Sequence, residues 1–330
     1  MTFMALEARE APEAVERFLK TNAKALRELG QRLRSMDPPV ILTSARGSSD
    51  HAAAYLKYIS EILLGIPCAS VGASVASVYG AKLRAKNALA ITISQSGKSP
   101  DIVALQRSAQ EAGALTVALI NAENSPAAST ADIFLPLCAG PERSVAATKS
   151  FIVSLVASAA IVSAWLGDPA LERALLDLPE QLRRVAVASQ PDLQDLIQHE
   201  ESLFVLGRGP SFPIACETAL KLKETCGLHA EAYSVAEVMH GPLELVEQGF
   251  PILVFAQDDV SFAGTQAAIA KLQNMGARVL VLTNTVAASH PLLSTILLTQ
   301  STYLSIEKLS RSLGRNPDAP RHLHKVTETT

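Results

Sequence analysis

"NALAITISQSGKSPDIVALQRSAQEAGALTVALIN", residues Asn87 to Asn121, decides the architecture. Leu89–Ile93 is a continuous apolar and β-branched run, the pattern of a strand buried on both faces. It stops at Ser94-Gln95-Ser96-Gly97-Lys98-Ser99, and Asp101–Ala112 then carries apolar residues at helical spacing. Leu115–Ile120 is a second buried-strand run. Strand, helix, strand in this order is a βαβ unit, which implies a parallel sheet with right-handed crossovers.

The unit is part of a pattern written twice, at an offset of about 162 residues. "VILTSARGSS" (Val40–Ser49) answers to "SLFVLGRGPS" (Ser202–Ser211), with Arg46-Gly47 matching Arg208-Gly209. "NALAITISQS" (Asn87–Ser96) answers to "GFPILVFAQD" (Gly249–Asp258) at the same spacing. "AGALTVALIN" (Ala112–Asn121) answers to "MGARVLVLTN" (Met275–Asn284) one residue later. The chain is therefore expected to be α/β, with two tandem domains over 37–167 and 199–313, each a parallel doubly wound sheet flanked by helices. In copy one, Ile41–Ser44 supplies the first strand and Asp50–Leu64 a helix after it. Ala11–Met36, within an N-terminal region 1–36, reads as one helix closed by Asp37-Pro38-Pro39. Val145–Leu166 and Ala170–Ala188 read as helices broken by Gly167-Asp168-Pro169, the second filling a connection over 168–198. Ser301–Leu313 reads as the last helix, before a polar tail, 314–330, that carries Lys325.

Composition narrows the function classes. A net charge of −3 leaves no basic footprint for nucleic acid. The N-terminus lacks the charged and apolar regions of a signal peptide. The most apolar stretch, Phe151–Gly167, is short for a membrane span and contains Ser154, Ser158 and Ser163, so it reads as a core or subunit-interface helix. No membrane association is expected, and a cytoplasmic location is. Cys68, Cys138, Cys216 and Cys226 form no C-x-x-C pair and read as buried reduced thiols.

Gly97-Lys98-Ser99 imitates the end of a nucleotide-binding P-loop. A P-loop needs glycine five residues earlier, and Thr92 stands there inside the strand. A monophosphate site fits better. Ser99 suits an N-cap, Pro100 the first helical position and Asp101 the first turn, so free N–H groups and the positive end of a helix dipole face the strand's carboxyl end. Ser94, Ser96 and Ser99 add hydroxyls, and Gly97 permits close approach. Ser48 and Ser49, at the neighbouring strand end, complete the cradle. One such turn is ordinarily no more than a capped strand-to-helix connection; two at adjacent strand ends favour phosphate, because open α/β sheets bind ligands there. The matching turn in copy two, Gln257-Asp258-Asp259-Val260, carries two acids that would repel one.

Copy two supplies acid–base groups instead. Glu217, Lys221 and Glu224 fall at i, i+4 and i+7 on one helix face, while Lys223 points elsewhere. A solvated charge pair is the ordinary explanation; held partly desolvated, such a carboxylate could move a proton between adjacent carbons. His240, before Gly241-Pro242, can titrate near neutrality and suits proton transfer to a ring oxygen, although a lone histidine is more often structural.

"ITISQSGKSPD", "SVAATKSF", "ALKLKETCGLHAEAYSVAEVMHGPLELV" and "PRHLHKVTET" together resemble the tandem sugar-isomerase (SIS) domains in the isomerase half of glucosamine-6-phosphate synthases. The resemblance runs from about Val40 to the C-terminus, and the "LKLKE…HAEAY…E…HGP" string is its most specific part. It implies two flavodoxin-like SIS domains, a homodimer with active sites shared between subunits, and a phosphorylated hexose bound without metal or cofactor. On the matching positions it implies sugar-phosphate contacts at Gly47, Ser48, Ser49, Ser94, Gln95, Ser96, Ser99 and Val145. It makes Glu224 the base that shuttles a proton between C1 and C2, with Lys221 and Glu217 in support. His240 opens the ring from the partner subunit, and Lys325 forms a Schiff base with the ketose.

The chain departs from the synthases in having about 40 residues before its first strand, where they carry a glutaminase domain. It has Arg46 and Lys98 where they usually have cysteine and glutamate. Those two replacements, with "PRHLHKVTET" at the end, resemble the glutaminase-free SIS-type glucosamine-6-phosphate deaminases, and Arg46 is expected to meet the phosphate or another anionic group of the substrate. The expected reaction is conversion of glucosamine 6-phosphate to fructose 6-phosphate and ammonia. Its relatives, a phosphosugar isomerase, a deglycase or an ammonia-dependent synthase, would use the same residues. A non-catalytic sugar-phosphate sensor fits less well, since it needs neither Glu224, His240 nor Lys325.

Overall fold

The computed structural model of the protein describes residues 1–323; Lys325 lies outside the described residues. Among the described residues nine strands form two sheets: β1 (Ile41–Ser44), β2 (Cys68–Ser70), β3 (Leu89–Ser94), β4 (Leu115–Ile120) and β5 (Ile133–Pro136), then β6 (Ser202–Gly207), β7 (His229–Ser234), β8 (Pro251–Phe255) and β9 (Arg278–Leu282). The first sheet has the order β2-β1-β3-β4-β5 and the second β7-β6-β8-β9, with every pairing parallel. The second order repeats the first without its last strand. The repeat seen in the sequence is thus a repeat of topology, with β1, β3 and β4 answered by β6, β8 and β9.

The chain divides into two compact units. Among the described residues, one, the first-sheet unit, comprises Glu13–Glu142 and Lys149–Pro179; the other, the second-sheet unit, comprises Met1–Pro12, Arg143–Thr148 and 180–323.

In the first-sheet unit, every residue of β4 is buried, as is all of β3 up to Ser94, which is why both read as unbroken apolar runs. The helix Ala11–Met36 has the expected limits, and a short helix, Phe3–Arg9, precedes it. The apolar helix Lys149–Leu166 is long and apolar enough to cross a membrane, but 89% of it is buried inside the protein. It is a core helix, wrapped by protein on all sides. It starts at Lys149 rather than Val145, since Arg143–Thr148 leaves this unit for the other. Pro169 opens the next helix, Pro169–Val187, as its fixed φ allows at a first turn.

In the second-sheet unit the last helix runs Ser294–Ser312, a full two turns longer at its start than the expected Ser301–Leu313. Its early residues are polar yet buried. Thr299 and Thr302 donate their hydroxyls to the carbonyls of Thr295 (2.8 Å) and Leu298 (2.7 Å), so the polarity is absorbed inside the helix and hides it from a hydrophobicity pattern. Among the cysteines, Cys68 and Cys226 are buried, and burial pushes their thiols up to about 12 and about 11. Cys138 and Cys216 are half-buried, contrary to the expectation of four buried thiols; none of the four forms a disulfide.

Candidate functional site

At the carboxyl end of β3, Gly97 sits at φ +61°, and a Cβ there would collide with Ser125 and Ile120. Only glycine satisfies both the left-handed conformation and the close approach. Its N–H donates to Ser94 Oγ (3.0 Å), and the Lys98 N–H donates to Ser96 Oγ (3.4 Å). The loop is thereby curled by its own serines, whose O–H groups remain able to donate. Ser99 stands at the N-cap of the helix Pro100–Glu111, but its side chain accepts no bond from that helix. Ser94, Gln95, Ser96 and Ser99 are all half-buried. At the end of β1, Gly47 (φ +55°) is the N-cap of a helix that begins at Ser48, two residues before the expected Asp50, and again no side chain caps it. At the start of the Pro100–Glu111 helix the Ile102 N–H already donates to Asp101 Oδ1 (2.8 Å). Two helix starts whose N-cap side chains make no capping bond, with serine hydroxyls, at adjacent strands of one sheet, are nevertheless suited to a phosphate.

Arg46 and Asp101 were not expected to meet. Their side chains form an ion pair within this unit, with Arg46 half-exposed and Asp101 almost fully buried in the first turn of the Pro100–Glu111 helix. The pair ties the β1 loop to the β3 loop. It also neutralises a carboxylate that would otherwise oppose an anion at that helix start.

In copy two the corresponding place is filled from within. Asp259 accepts the N–H (2.8 Å) and the hydroxyl (2.6 Å) of Ser261, the N-cap of the helix Phe262–Asn274. An internal carboxylate sits where an external anion would bind. A cavity of about 530 Å³ does remain at the strand ends, lined by Arg208, Val235, Met239, Ser261, Thr265 and Lys271 among others. None of Glu217, Lys221 and Glu224 reaches it.

Those three residues are brought together elsewhere in the second-sheet unit. The helix Phe212–Lys221 ends by passing into a π-helical turn, Leu222–Cys226, closed by Gly227 at φ +65°. The expected continuous α-helix is thus interrupted at the candidate base. Such wide turns are rare and often functional. This one is held by side chains: Thr225 Oγ1 donates to the Lys221 carbonyl (2.7 Å), and Ser310 Oγ donates to the Thr225 carbonyl (2.8 Å). Lys221 Nζ donates to Glu224 Oε2 (2.6 Å) and lies 3.3 Å from Glu217 Oε1. Tyr303, which no spacing in the sequence marked, donates its hydroxyl to Glu217 Oε1 (2.9 Å). Lys221 and Glu217 are each 1% exposed and Glu224 is 22% exposed, so a sealed pair backs one carboxylate that solvent can reach. Burial pulls the Lys221 pKa down, but the Glu217 and Glu224 carboxylates outweigh it and the net displacement is upward. The lysine therefore stays an ammonium at neutral pH.

His240 is exposed between two short 3₁₀ turns, Glu237–Met239 and Gly241–Leu245, and joins none of these bonds among the described residues. Lys223 is exposed, as expected. Val145 is half-buried in the Arg143–Thr148 segment, which belongs with the second-sheet unit although its sequence position is in copy one. No three His, Cys, Asp or Glu side chains gather as a metal-ligand set among the described residues.

Comparison with known proteins agrees with the topology. The SIS domain family matches residues 37–164 and 196–299. A glutamine–fructose-6-phosphate aminotransferase (isomerizing) of Bradyrhizobium diazoefficiens is 32% identical over 269 residues, covering 78% of this chain and 44% of its own length. The chain spans about half the length of such curated relatives. A crystal structure of a Silicibacter pomeroyi protein assigned as a phosphosugar isomerase superposes with a TM-score of 0.91 at 44% identity, covering 96% of this chain and all of that one. Glucosamine-6-phosphate deaminase from Thermotoga maritima shares the fold at a TM-score of 0.79 and 22% identity, over 99% of this chain and all of that one. With two matched segments, two parallel sheets of one topology and homology to the isomerase domain of the aminotransferases, the chain belongs to the SIS domain family.

Proposed function

We propose that the protein is a phosphosugar aldose–ketose isomerase that releases ammonia from glucosamine 6-phosphate and leaves fructose 6-phosphate. The observation that carries this reading is Glu224, a solvent-reachable carboxylate fixed by a sealed lysine on a π-turn. The serine turns after β1 and β3 bind the phosphate. His240 opens the ring, acting across the interface of a homodimer as the family resemblance implies. Glu224 takes the C2 proton of the open-chain amino aldose, giving an enolamine, and returns it to C1. The product is the C2 imine of the ketose, and water hydrolyses it to the ketone and ammonia, with Lys325 exchanging into the imine on the way. Lys221 keeps Glu224 oriented for the first step.

The test is incubation with glucosamine 6-phosphate, measuring ammonia and fructose 6-phosphate. Equal amounts of the two are expected; wild-type protein that yields neither sinks the reading. The identity to aminotransferases favours a second direction, synthesis from fructose 6-phosphate and ammonia, read by adding ammonium to the ketose. For the cradle, Ser96→Ala combined with Ser99→Ala removes two hydrogen bonds to a charged group, each worth about 1.5–3 kcal/mol. Binding of the phosphosugar should weaken roughly 100-fold or more, and of the unphosphorylated sugar by less than about threefold, by calorimetry. Equal losses for the two ligands would remove the serines from phosphate recognition.

A further inference from the structure

Three consecutive backbone N–H groups, those of Arg143, Ser144 and Val145, are taken by two acidic residues far away in sequence. Glu7, 3% exposed on the helix Phe3–Arg9, accepts from Arg143 and, at 3.2 Å, from Ser144. The carbonyl of Asp318 accepts from Val145 at 3.2 Å. The carboxylate of Asp318 is engaged as well: it accepts the N–H groups of Phe3 (2.8 Å) and Met4 (2.7 Å), the first turn of the helix that carries Glu7. The Arg143 guanidinium covers the Phe3 ring at 5.4 Å. One short helix thus bolts the Val145 segment and the 316–318 turn together, all within the second-sheet unit.

Hydrogen bonds from N–H groups to ionised carboxylates are stronger than neutral ones, and a buried one is costly to leave unmade. Two successive peptides held by a carboxylate and a third held by a backbone carbonyl cannot rotate singly. Asp318 also stands seven residues before Lys325, a tether of at most about 25 Å when fully extended. Fixing Asp318 limits where that amine can go.

We propose that Glu7 and Asp318 are positioning residues, which hold the Val145 segment and the start of the lysine-bearing tail in one fixed register at the sugar. This rests on the functional reading above in assigning Val145 and Lys325 to the substrate. Neither acid touches the reacting atoms; both act through the backbone they hold. Misplacing a substrate-positioning segment by an ångström costs roughly 100-fold in rate.

Asp318→Ala should lower kcat for phosphosugar turnover by about 10- to 100-fold. Asp318→Asn, which retains an acceptor oxygen, should recover most of that loss, and Glu7→Gln should fall between the two. Binding of inorganic phosphate, which reports the serine turns and not the Val145 segment that would meet the sugar, should stay within about twofold in all three variants, since none of them alters those turns. Trypsin should cut after the exposed Arg315 and Arg321 faster in Asp318→Ala than in wild type, because the turn between them has lost its anchor. An unchanged kcat in Asp318→Ala, or phosphate binding lost in step with kcat, overturns the proposal. If wild type turns over no phosphosugar, the functional reading fails by itself. The tryptic rates then decide whether Asp318 anchors the tail, and equal rates in wild type and Asp318→Ala overturn that too.

Discussion

Glu224→Gln is expected to lower kcat for phosphosugar turnover by roughly 10²- to 10⁴-fold, the usual contribution of a positioned acid–base group, with KM little changed. The amide keeps the length and one acceptor oxygen of the carboxylate, so it still meets Lys221 Nζ, and Glu217 still neutralises the lysine. What it loses is the capacity to hold a proton between C2 and C1. On the proposed roles, the separation of kcat from KM follows because the base would act only on the reacting carbons, while ground-state binding would come from the serine turns. A second readout isolates the step: wild type should exchange the C2 hydrogen of its substrate with deuterium from solvent, and the variant should not. A variant that retains a tenth of the wild-type rate, or that exchanges at the wild-type rate, removes Glu224 from proton transfer.

Lys221→Met is the largest expected effect on stability. The lysine is 1% exposed and its charge is shared between two carboxylates, one of them equally sealed. Methionine fills most of the volume but strands Glu217 without its cation. Breaking a buried ion pair from one side costs about 3–5 kcal/mol, a large part of the stability of an ordinary domain. The urea midpoint should fall accordingly. Glu217→Gln in the same chain should restore much of it, because the stranded charge is then gone. The pH dependence has a definite sign. The folded-state pKa of Lys221 is raised above 10.5, so its contribution is fully present below that pH and is lost as pH rises through the raised value. The stability gap between wild type and Lys221→Met should therefore not narrow, through loss of the lysine's charge, anywhere between neutrality and pH 10. Narrowing in that window, or a midpoint unchanged by the substitution, would contradict the buried ammonium.

The central strands were legible because β3, β4 and β8 are buried on both faces, which forces continuous runs such as Leu115–Ile120, and because the chain states its pattern twice; β2, β5 and β7, which are short or partly exposed, were not read. The α-to-π switch at Lys221 was not. Glu217, Lys221 and Glu224 have the spacing of an ordinary helix, and the wider turn depends on hydroxyls of Thr225 and Ser310, the latter from a helix more than 80 residues on. Tyr303 is invisible for the same reason: its role is a long-range hydrogen bond, and local periodicity carries no trace of it. Arg46 looked like a group waiting for the substrate, yet it already has an anion in Asp101. Its pairing comes from β1 and β3 lying side by side, a property of strand order. The start of the last helix was hidden by chemistry: Thr295, Thr299 and Thr302 are buried polar residues, and a pattern that equates burial with apolarity passes over them.

The interlacing of the two units bears on how such a protein can be taken apart. The copies follow one another along the chain, but the units do not: the second borrows Met1–Pro12 from before the first and Arg143–Thr148 from inside it. A gene cut at the connection near residue 180 would yield a front half that has lost nothing of its own unit and a back half missing two of its parts. Glu7 and the Arg143–Val145 amides would be stranded on the wrong piece, away from Asp318. Shuffling the copies between relatives as modules would then fail for the back half unless both Met1–Pro12 and Arg143–Thr148 travelled with it.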